Sequence, residues 1–253
     1  MKTTHYYRKY LSHIHDTGFG IFAKGSSTDI LEILRENNIY YCHIVDLGCG
    51  SGILAKGLAD MGYSVTGVDL SPDMIALAKK RVPNADFVRA SFYSVDIPSC
   101  SAVIATGECF NYLFDRSGEN TEKIKDLFKK IYSSLISGGL FIFDFAMPGR
   151  LYPSKKKNWN QNNWELEVEH QEDEESKYLT RKIKLKIQTK TGLKQDKEIH
   201  RLRLFERKEL ENILTKIGFI PKFVKSYGTF LFPFECGYGG FISKKINSLK
   251  HIT

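Results

Sequence analysis

The stretch Val45-Asp46-Leu47-Gly48-Cys49-Gly50-Ser51-Gly52 decides the fold of this chain. Ile44 to Leu47 has the short apolar run of a buried strand, and Ile53 to Met61 follows it with helical spacing. Glycines at 48, 50 and 52 let the backbone between them turn tightly and let a ligand touch main-chain atoms. Such a turn also offers amide hydrogens at a helix N-terminus, which favours a negatively charged ligand group. A dinucleotide fingerprint needs Gly-x-Gly-x-x-Gly, and position 53 is isoleucine, so a pyrophosphate cradle is disfavoured.

Outward from the turn, strand and helix patterns alternate. Upstream, Thr28 to Arg35 has helical periodicity; downstream, Ser64 to Asp69 reads as a strand. Asp69 stands about 20 residues past the first glycine, where a strand-end carboxylate can accept hydrogen bonds from both hydroxyls of a ribose. Ser71-Pro72-Asp73 is a helix start, with a capping serine, a proline in the first turn and an acid facing the dipole; Lys79-Lys80-Arg81 suits its C-terminal end. Ala85 to Ala90 and Ala102 to Thr106 are the next strands. Ile124, Leu127, Phe128, Ile131 and Leu135 trace a helical stripe that Gly138-Gly139 ends, before a strand over Leu140 to Phe145.

Five strands alternating with helices predict an α/β fold with a parallel sheet and right-handed crossovers. Three long alternating strands follow (Glu165 to His170, Tyr178 to Gln188, Lys197 to Leu204), with a turn at Lys190-Thr191-Gly192. A helix over Arg207 to Ile217 and strands near Phe219 to Tyr227 and Gly240 to Lys244 then resume the core, the last strand antiparallel. The expected architecture is a Rossmann-like, doubly wound, mostly parallel seven-stranded sheet carrying an antiparallel β insertion between the fifth strand and the last helix.

At Asp46, Gly48, Gly50, Gly52 and Asp69 the sequence resembles the class I S-adenosylmethionine-dependent methyltransferases, from roughly Ile44 to Phe145 and more faintly to Lys244. The resemblance implies S-adenosyl-L-methionine as cofactor. It places Asp46, Gly48, Gly50 and Gly52 against the methionine part, with Cys49 of the same turn a further cofactor contact, Asp69 on the ribose, and Leu70 and Met74 beside adenine. Many relatives carry an aspartate after the third strand; here the chain reads Arg89-Ala90-Ser91-Phe92, so adenine contact falls to Ser91 and Phe92, with a weaker acceptor than a carboxylate. Gly107-Glu108-Cys109-Phe110-Asn111-Tyr112 resembles a segment of some small-molecule methyltransferases that faces the methyl-donating sulfur. That likeness assigns Gly107 and Glu108 to the donor and Asn111 and Tyr112 to the acceptor, the alternative being that the last two cap the next element.

Methyl transfer from a sulfonium is an in-line displacement that needs alignment and exclusion of water, and a hydroxyl or ammonium acceptor also needs a base. Relatives commonly fold their leader over the cofactor. In Tyr6 to Phe22 this makes Tyr10 a candidate acceptor contact and His13 or His15 a candidate base, with His15 preferred; a surface histidine is the plain alternative. Phe230, Phe232, Phe234 and Tyr238 either wall the acceptor pocket or form core, with Phe232 the chosen acceptor contact. The implied organisation is a helical lid over 1–40, a cofactor-binding core over 41–148 and 205–253, and the insertion over 149–204.

Composition narrows the partners. The 253 residues carry a formal charge of +8, concentrated in Lys155-Lys156-Lys157, Lys177 to Lys197 and Lys244 to Lys250. Those lysines alternate with acids and lack interleaved stacking aromatics, so a solvated face is expected over a nucleic-acid surface. An RNA or other nucleic-acid methyltransferase is the alternative; neither an Asp/Asn-Pro-Pro-aromatic tetrad at the fourth strand nor a Pro-Cys nucleophile supports it. Five scattered cysteines without metal spacing imply reduced thiols and no metal. The N-terminus lacks a signal-type apolar stretch and no run is long enough to span a bilayer, so a cytoplasmic enzyme acting on a small-molecule acceptor is expected, with a homodimer possible through an exposed insertion edge.

Overall fold

The computed structural model describes residues 6–114, 121–149, 156–173, 175–232 and 236–246. Two helices, α1 (Lys9–Gly18) and α2 (Ile21–Glu36), lead into β1 (His43–Leu47), α3 (Ile53–Asp60), β2 (Ser64–Asp69), α4 (Pro72–Arg81), β3 (Asp86–Arg89) and β4 (Cys100–Ala105). After a 3-10 turn at Cys109–Asn111 come α5 (Thr121–Ser134) and β5 (Leu135–Ala146). The insertion is β6 (Lys156–Gln161), β7 (Trp164–Asp173), β8 (Tyr178–Thr189) and β9 (Gly192–Arg203). The chain closes with α6 (Arg207–Ile217), β10 (Phe219–Val224), the short pair β11 (Ser226–Tyr227) and β12 (Phe230–Leu231), and β13 (Tyr238–Lys245).

The main sheet runs β3-β2-β1-β4-β5-β13-β10. Its first five strands are parallel, and β13 lies antiparallel between β5 and β10. Strand β1 shows why the sheet is covered on both faces. Ile44 joins the core formed with α2, α3 and α4, whereas Val45 and Leu47 join the core formed with α5 and α6. The strand order reverses between β1 and β4, and the carboxyl ends on either side of that switch point frame a crevice.

Helix α4 starts as its sequence dictates, with the Ser71 side chain accepting from the Met74 amide and Pro72 in the first turn. Four boundaries differ from expectation. Helix α2 begins at Ile21 rather than Thr28. Leu135 is the first residue of β5, paired with Cys100 ahead of a bulge, so the strand precedes Gly138-Gly139 instead of following them. The expected strand over Phe219 to Tyr227 breaks at Lys225, because Ser226–Tyr227 turns back to pair with Phe230–Leu231. The insertion has four strands, not three; β6 is polar and mostly exposed, and carries no alternating pattern to announce it.

The insertion does not stand apart. Leu11 and Ile14 of α1 pack on Trp164, Leu166, Val168, Ile183, Leu185 and Ile187, so the leader helix is the filling between the four-stranded sheet and the core. Leu113 donates its amide to the Arg201 carbonyl at 2.9 Å, and Tyr112 bridges to Leu202, which stitches the turn after β4 to β9.

Candidate active site

The glycine turn folds around its own backbone. Gly48 and Cys49 donate their amides to the Val68 carbonyl at 2.7 and 3.0 Å, Gly52 donates to Cys49 at 3.0 Å, and Gly50 donates to Asp69 Oδ2 at 2.9 Å. These amides, expected to be open to an anionic ligand group, are instead spent on β2 and on the turn itself. A diphosphate cradle is thereby removed, and the two motifs become one piece, since Asp69 also accepts from the Ser71 amide at 2.8 Å. Gly48 has φ +72°, and a side chain there would collide with Cys109 Sγ. Gly50 and Gly107, with φ +52° and +84°, have nothing within 4 Å of where a side chain would begin.

That open space is a cavity of about 420 Å³ beyond the β1, β2 and β4 ends, within the usual range of a few hundred Å³ for small-molecule sites. Asp46, Gly48, Cys49, Gly50, Asp69, Leu70, Met74, Ser91, Phe92, Gly107 and Glu108 all line it, so the eleven residues assigned to the cofactor converge. Asp46 is 1% exposed, and its Oδ2 has no hydrogen-bond partner. Burial first, and then the neighbouring Asp69, push its carboxyl from 3.8 up to about 7. Burial likewise lifts Asp69 to about 6 against the pull of the Ser71 and Gly50 amides. An acidic, partly unsatisfied floor of this kind fits a ligand bringing a positive charge and hydroxyl donors, which is the chemistry of S-adenosylmethionine's methionine and ribose parts.

The turn after β4 is held by a buried carboxylate. Asp144 accepts from the Gly107 amide at 2.9 Å, from the Glu108 amide at 2.6 Å, and from the Tyr227 and Tyr238 hydroxyls at 3.1 and 2.5 Å. Burial raises Asp144 to about 6 even so. These bonds keep Glu108 at φ +54°, a left-handed conformation a glutamate adopts only when its surroundings impose it. The Glu108 carboxylate then meets Arg181 of β8 at 2.5 Å, and Arg181 also donates to the Tyr112 hydroxyl at 2.9 Å. Tyr112 and Tyr7 share a hydroxyl contact at 2.8 Å.

On the acceptor side the structure redistributes the expected roles. Tyr112 and His15 line the cavity; Tyr10, Asn111 and Phe232 do not. Asn111 is fully buried, its amide nitrogen bonded to the Ala146 and Arg203 carbonyls at 2.9 and 2.5 Å and its oxygen to the Ala146 amide at 2.9 Å, so it pins β5 to β9. Tyr10 packs against the core between α1 and the insertion, and Phe232 belongs to the core beside α2. Phe234 lies outside the described residues. His13 faces outward, whereas His15 is half-buried against Tyr7 and Phe19, and burial lowers it to about 4, so its ring is neutral near pH 7.

Tyr7, Arg181, His170 and His200 also line the cavity and were not foreseen. The insertion supplies three of them, and only its folding back over the sheet ends brings them near Glu108. Among the described residues no His/Cys/Asp/Glu group is arranged to hold a metal, and no helix is long and apolar enough to cross a membrane.

The seven-stranded, mostly parallel sheet with its switch-point cavity, glycine turn and strand-end carboxylate defines the class: a Rossmann-like methyltransferase fold. Residues 44–139 match the methyltransferase-domain family. A protein of Geobacillus sp. (strain WCH70) that bears a methyltransferase name is 36% identical over 107 residues, 40% of this chain and 41% of that one. The chain thus spans about two fifths of the length of that curated relative. Likeness of fold extends further. An S-adenosylmethionine-dependent methyltransferase from Clostridium acetobutylicum superposes with a TM-score of 0.80 at 20% identity, covering 94% of this chain and 98% of that one. An amino pentose methyltransferase from Micromonospora echinaspora, solved with S-adenosylmethionine bound, gives 0.74 at 17% identity over 95% and 98%.

Proposed function

We propose that this protein transfers a methyl group from S-adenosylmethionine to a small-molecule acceptor by in-line displacement. The observation that carries this reading is one continuous cavity lined by Asp46, Gly50 and Asp69 and also by Tyr7, His15, Tyr112 and His200. Bound S-adenosylmethionine supplies an electrophilic methyl group on a sulfonium sulfur. Asp69 would hold the ribose, Asp46 would face the positively charged methionine part, and Leu70, Met74 and Phe92 would enclose adenine. Gly107 and Glu108, fixed by Asp144, would set the wall beside the reacting sulfur. Helix α1 and the insertion sheet exclude water, which strengthens every electrostatic contact inside.

The basic charge does not argue for nucleic acid. On the outer face of the insertion, Lys186 pairs with Glu165 at 3.1 Å, Lys184 and Lys156 with Glu167 at 3.0 and 2.6 Å, and Lys182 with Glu169 at 3.7 Å. A tritiated-methyl screen of purified protein against a metabolite extract and, separately, RNA tests the proposal. Label entering low-mass products supports it. Label entering RNA, with binding that collapses as salt rises, would refute it.

A further inference from the structure

Strand β9 breaks the rule by which strands bury their apolar residues. Ile199 is 58% exposed, while its neighbours Glu198 and His200 are 5% and 1% exposed on the inner face. Leu202, fully buried on that same inner face, fixes the register, so the sheet buries a carboxylate and an imidazole while leaving isoleucine in solvent. Inversions of this kind cost stability and concentrate where side chains have a chemical task.

The two buried groups form a pair. His200 Nε2 lies 2.8 Å from Glu198 Oε2, and Glu198 also accepts from the Tyr7 and Arg8 amides at 2.7 and 2.9 Å. An ionised carboxylate in contact with Nε2 places the proton there and leaves Nδ1 as a bare lone pair. Nδ1 is buried and has no hydrogen-bond partner, yet His200 forms part of the cavity wall. An unmet acceptor atom in such a place is destabilising unless a ligand or water meets it.

We propose that His200 is the general base of the reaction, with Glu198 as its positioning residue; the proposal rests on the methyl-transfer reading above. The acceptor's N–H or O–H bond breaks and its proton goes to His200 Nδ1, directly or through one water. The freed electron pair forms the bond to the methyl carbon while the carbon–sulfur bond breaks, its electrons staying on sulfur as a neutral thioether. Glu198 offsets the positive charge that appears on the imidazole. His15 differs in its contacts: among the described residues no carboxylate is hydrogen-bonded to its ring, and the adjacent Asp16 turns to Arg81 at 2.7 Å. The charged and titratable groups facing His200 are Glu198 on its own strand, Arg181 on β8, Arg8, Tyr7 and Tyr6 on the leader, with the Tyr6 ring stacked on the imidazole at 4.4 Å, Tyr112, and His15 on α1. Burial is the largest influence and lowers His200 below its ordinary value; Glu198 pulls the other way, and Arg181 and Arg8 add to the lowering.

Three measurements on the full chain decide the matter. Binding of S-adenosylhomocysteine is followed by calorimetry, transfer by tritiated S-adenosylmethionine with a deproteinised metabolite extract as acceptor source, and the ring nitrogens by NMR of ¹⁵N-histidine-labelled protein. His200→Gln, which keeps a donor toward Glu198, is expected to bind S-adenosylhomocysteine within about twofold of the parent and to transfer about 100-fold more slowly, the scale of lost general-base catalysis. His15→Gln is expected to lose far less. The parent spectrum should show His200 protonated at Nε2 and bare at Nδ1, and Glu198→Gln should disturb that tautomer and slow transfer without weakening S-adenosylhomocysteine. Parental turnover in His200→Gln, or a proton on Nδ1 of the parent, overturns the proposal; the second result needs no acceptor and no folded variant. A parent that fails to bind S-adenosylhomocysteine sinks the transferase reading itself. One that binds it yet labels nothing overturns both.

Discussion

Replacing Asp46 by asparagine should strengthen the ligand-free protein at alkaline pH while weakening its hold on the cofactor. The side chain is 1% exposed, and folding moves its carboxyl from 3.8 to about 7. At pH 8 the unfolded chain carries Asp46 ionised without penalty, whereas the folded chain must ionise it in a dry site beside Asp69. A shift of that size corresponds to about 4 kcal/mol. Between about pH 4 and 7 the folded state binds the extra proton, so stability falls as pH rises through that window. Asp69 and Asp144, each lifted to about 6, slope the same way and persist in the variant. Urea unfolding of parent and Asp46→Asn without ligand, at pH 5 and pH 8, should therefore show the parent losing more stability over that interval, by about 2–4 kcal/mol. Calorimetry at pH 8 should show S-adenosylhomocysteine binding about 10-fold or more weaker in the variant, the scale of one charge-assisted contact. Equal pH dependence in the two proteins, or unchanged affinity, would refute the assignment of Asp46 as a buried carboxylate facing a cationic ligand.

Cofactor affinity of the parent should fall as pH drops below about 7 and then 6, because Asp46 and Asp69 take up protons there; calorimetry between pH 5 and 8 reads this directly, and a flat profile would count against both roles. Asn111→Ala should cost about 2–4 kcal/mol in urea unfolding, since it orphans buried backbone groups of β5 and β9, and the surviving folded protein should bind S-adenosylhomocysteine normally. Arg181→Met leaves Glu108 buried without its cation and should destabilise by about 3–5 kcal/mol, a loss that Glu108→Gln in the same chain should partly restore. Independent, additive effects in that double variant would show that the pair is not coupled.

The residues nominated for the cofactor come together at one cavity because the signals behind them are local. Glycines at alternate positions after a strand, an acid at the next strand end and a capped helix in register are each short-range signals, and the eleven residues nominated by these signals together with the family resemblance all border the cavity. The acceptor half was not legible, because it is assembled from segments far apart in the chain. Tyr112 and Arg181 meet across 69 positions, and Tyr7 meets Glu198 across 191. In β9 the inward positions are held by Glu198 and His200 and an exposed one by Ile199, an arrangement that apolar alternation does not announce. Asn111 was misassigned for a related reason. Sequence shows a polar residue beside a binding motif and cannot show that two distant carbonyls and an amide already use it.

The account depends most on the cavity floor being a nucleoside-sulfonium site rather than a dinucleotide site. Calorimetric titration of the protein with S-adenosylhomocysteine and, in parallel, with NAD tests this most directly, with Asp69→Ala alongside. One-to-one binding of S-adenosylhomocysteine, weakened by about 1–3 kcal/mol in Asp69→Ala, and no heat from NAD is the expected result. Tight NAD binding, or S-adenosylhomocysteine affinity that ignores Asp69, would contradict it.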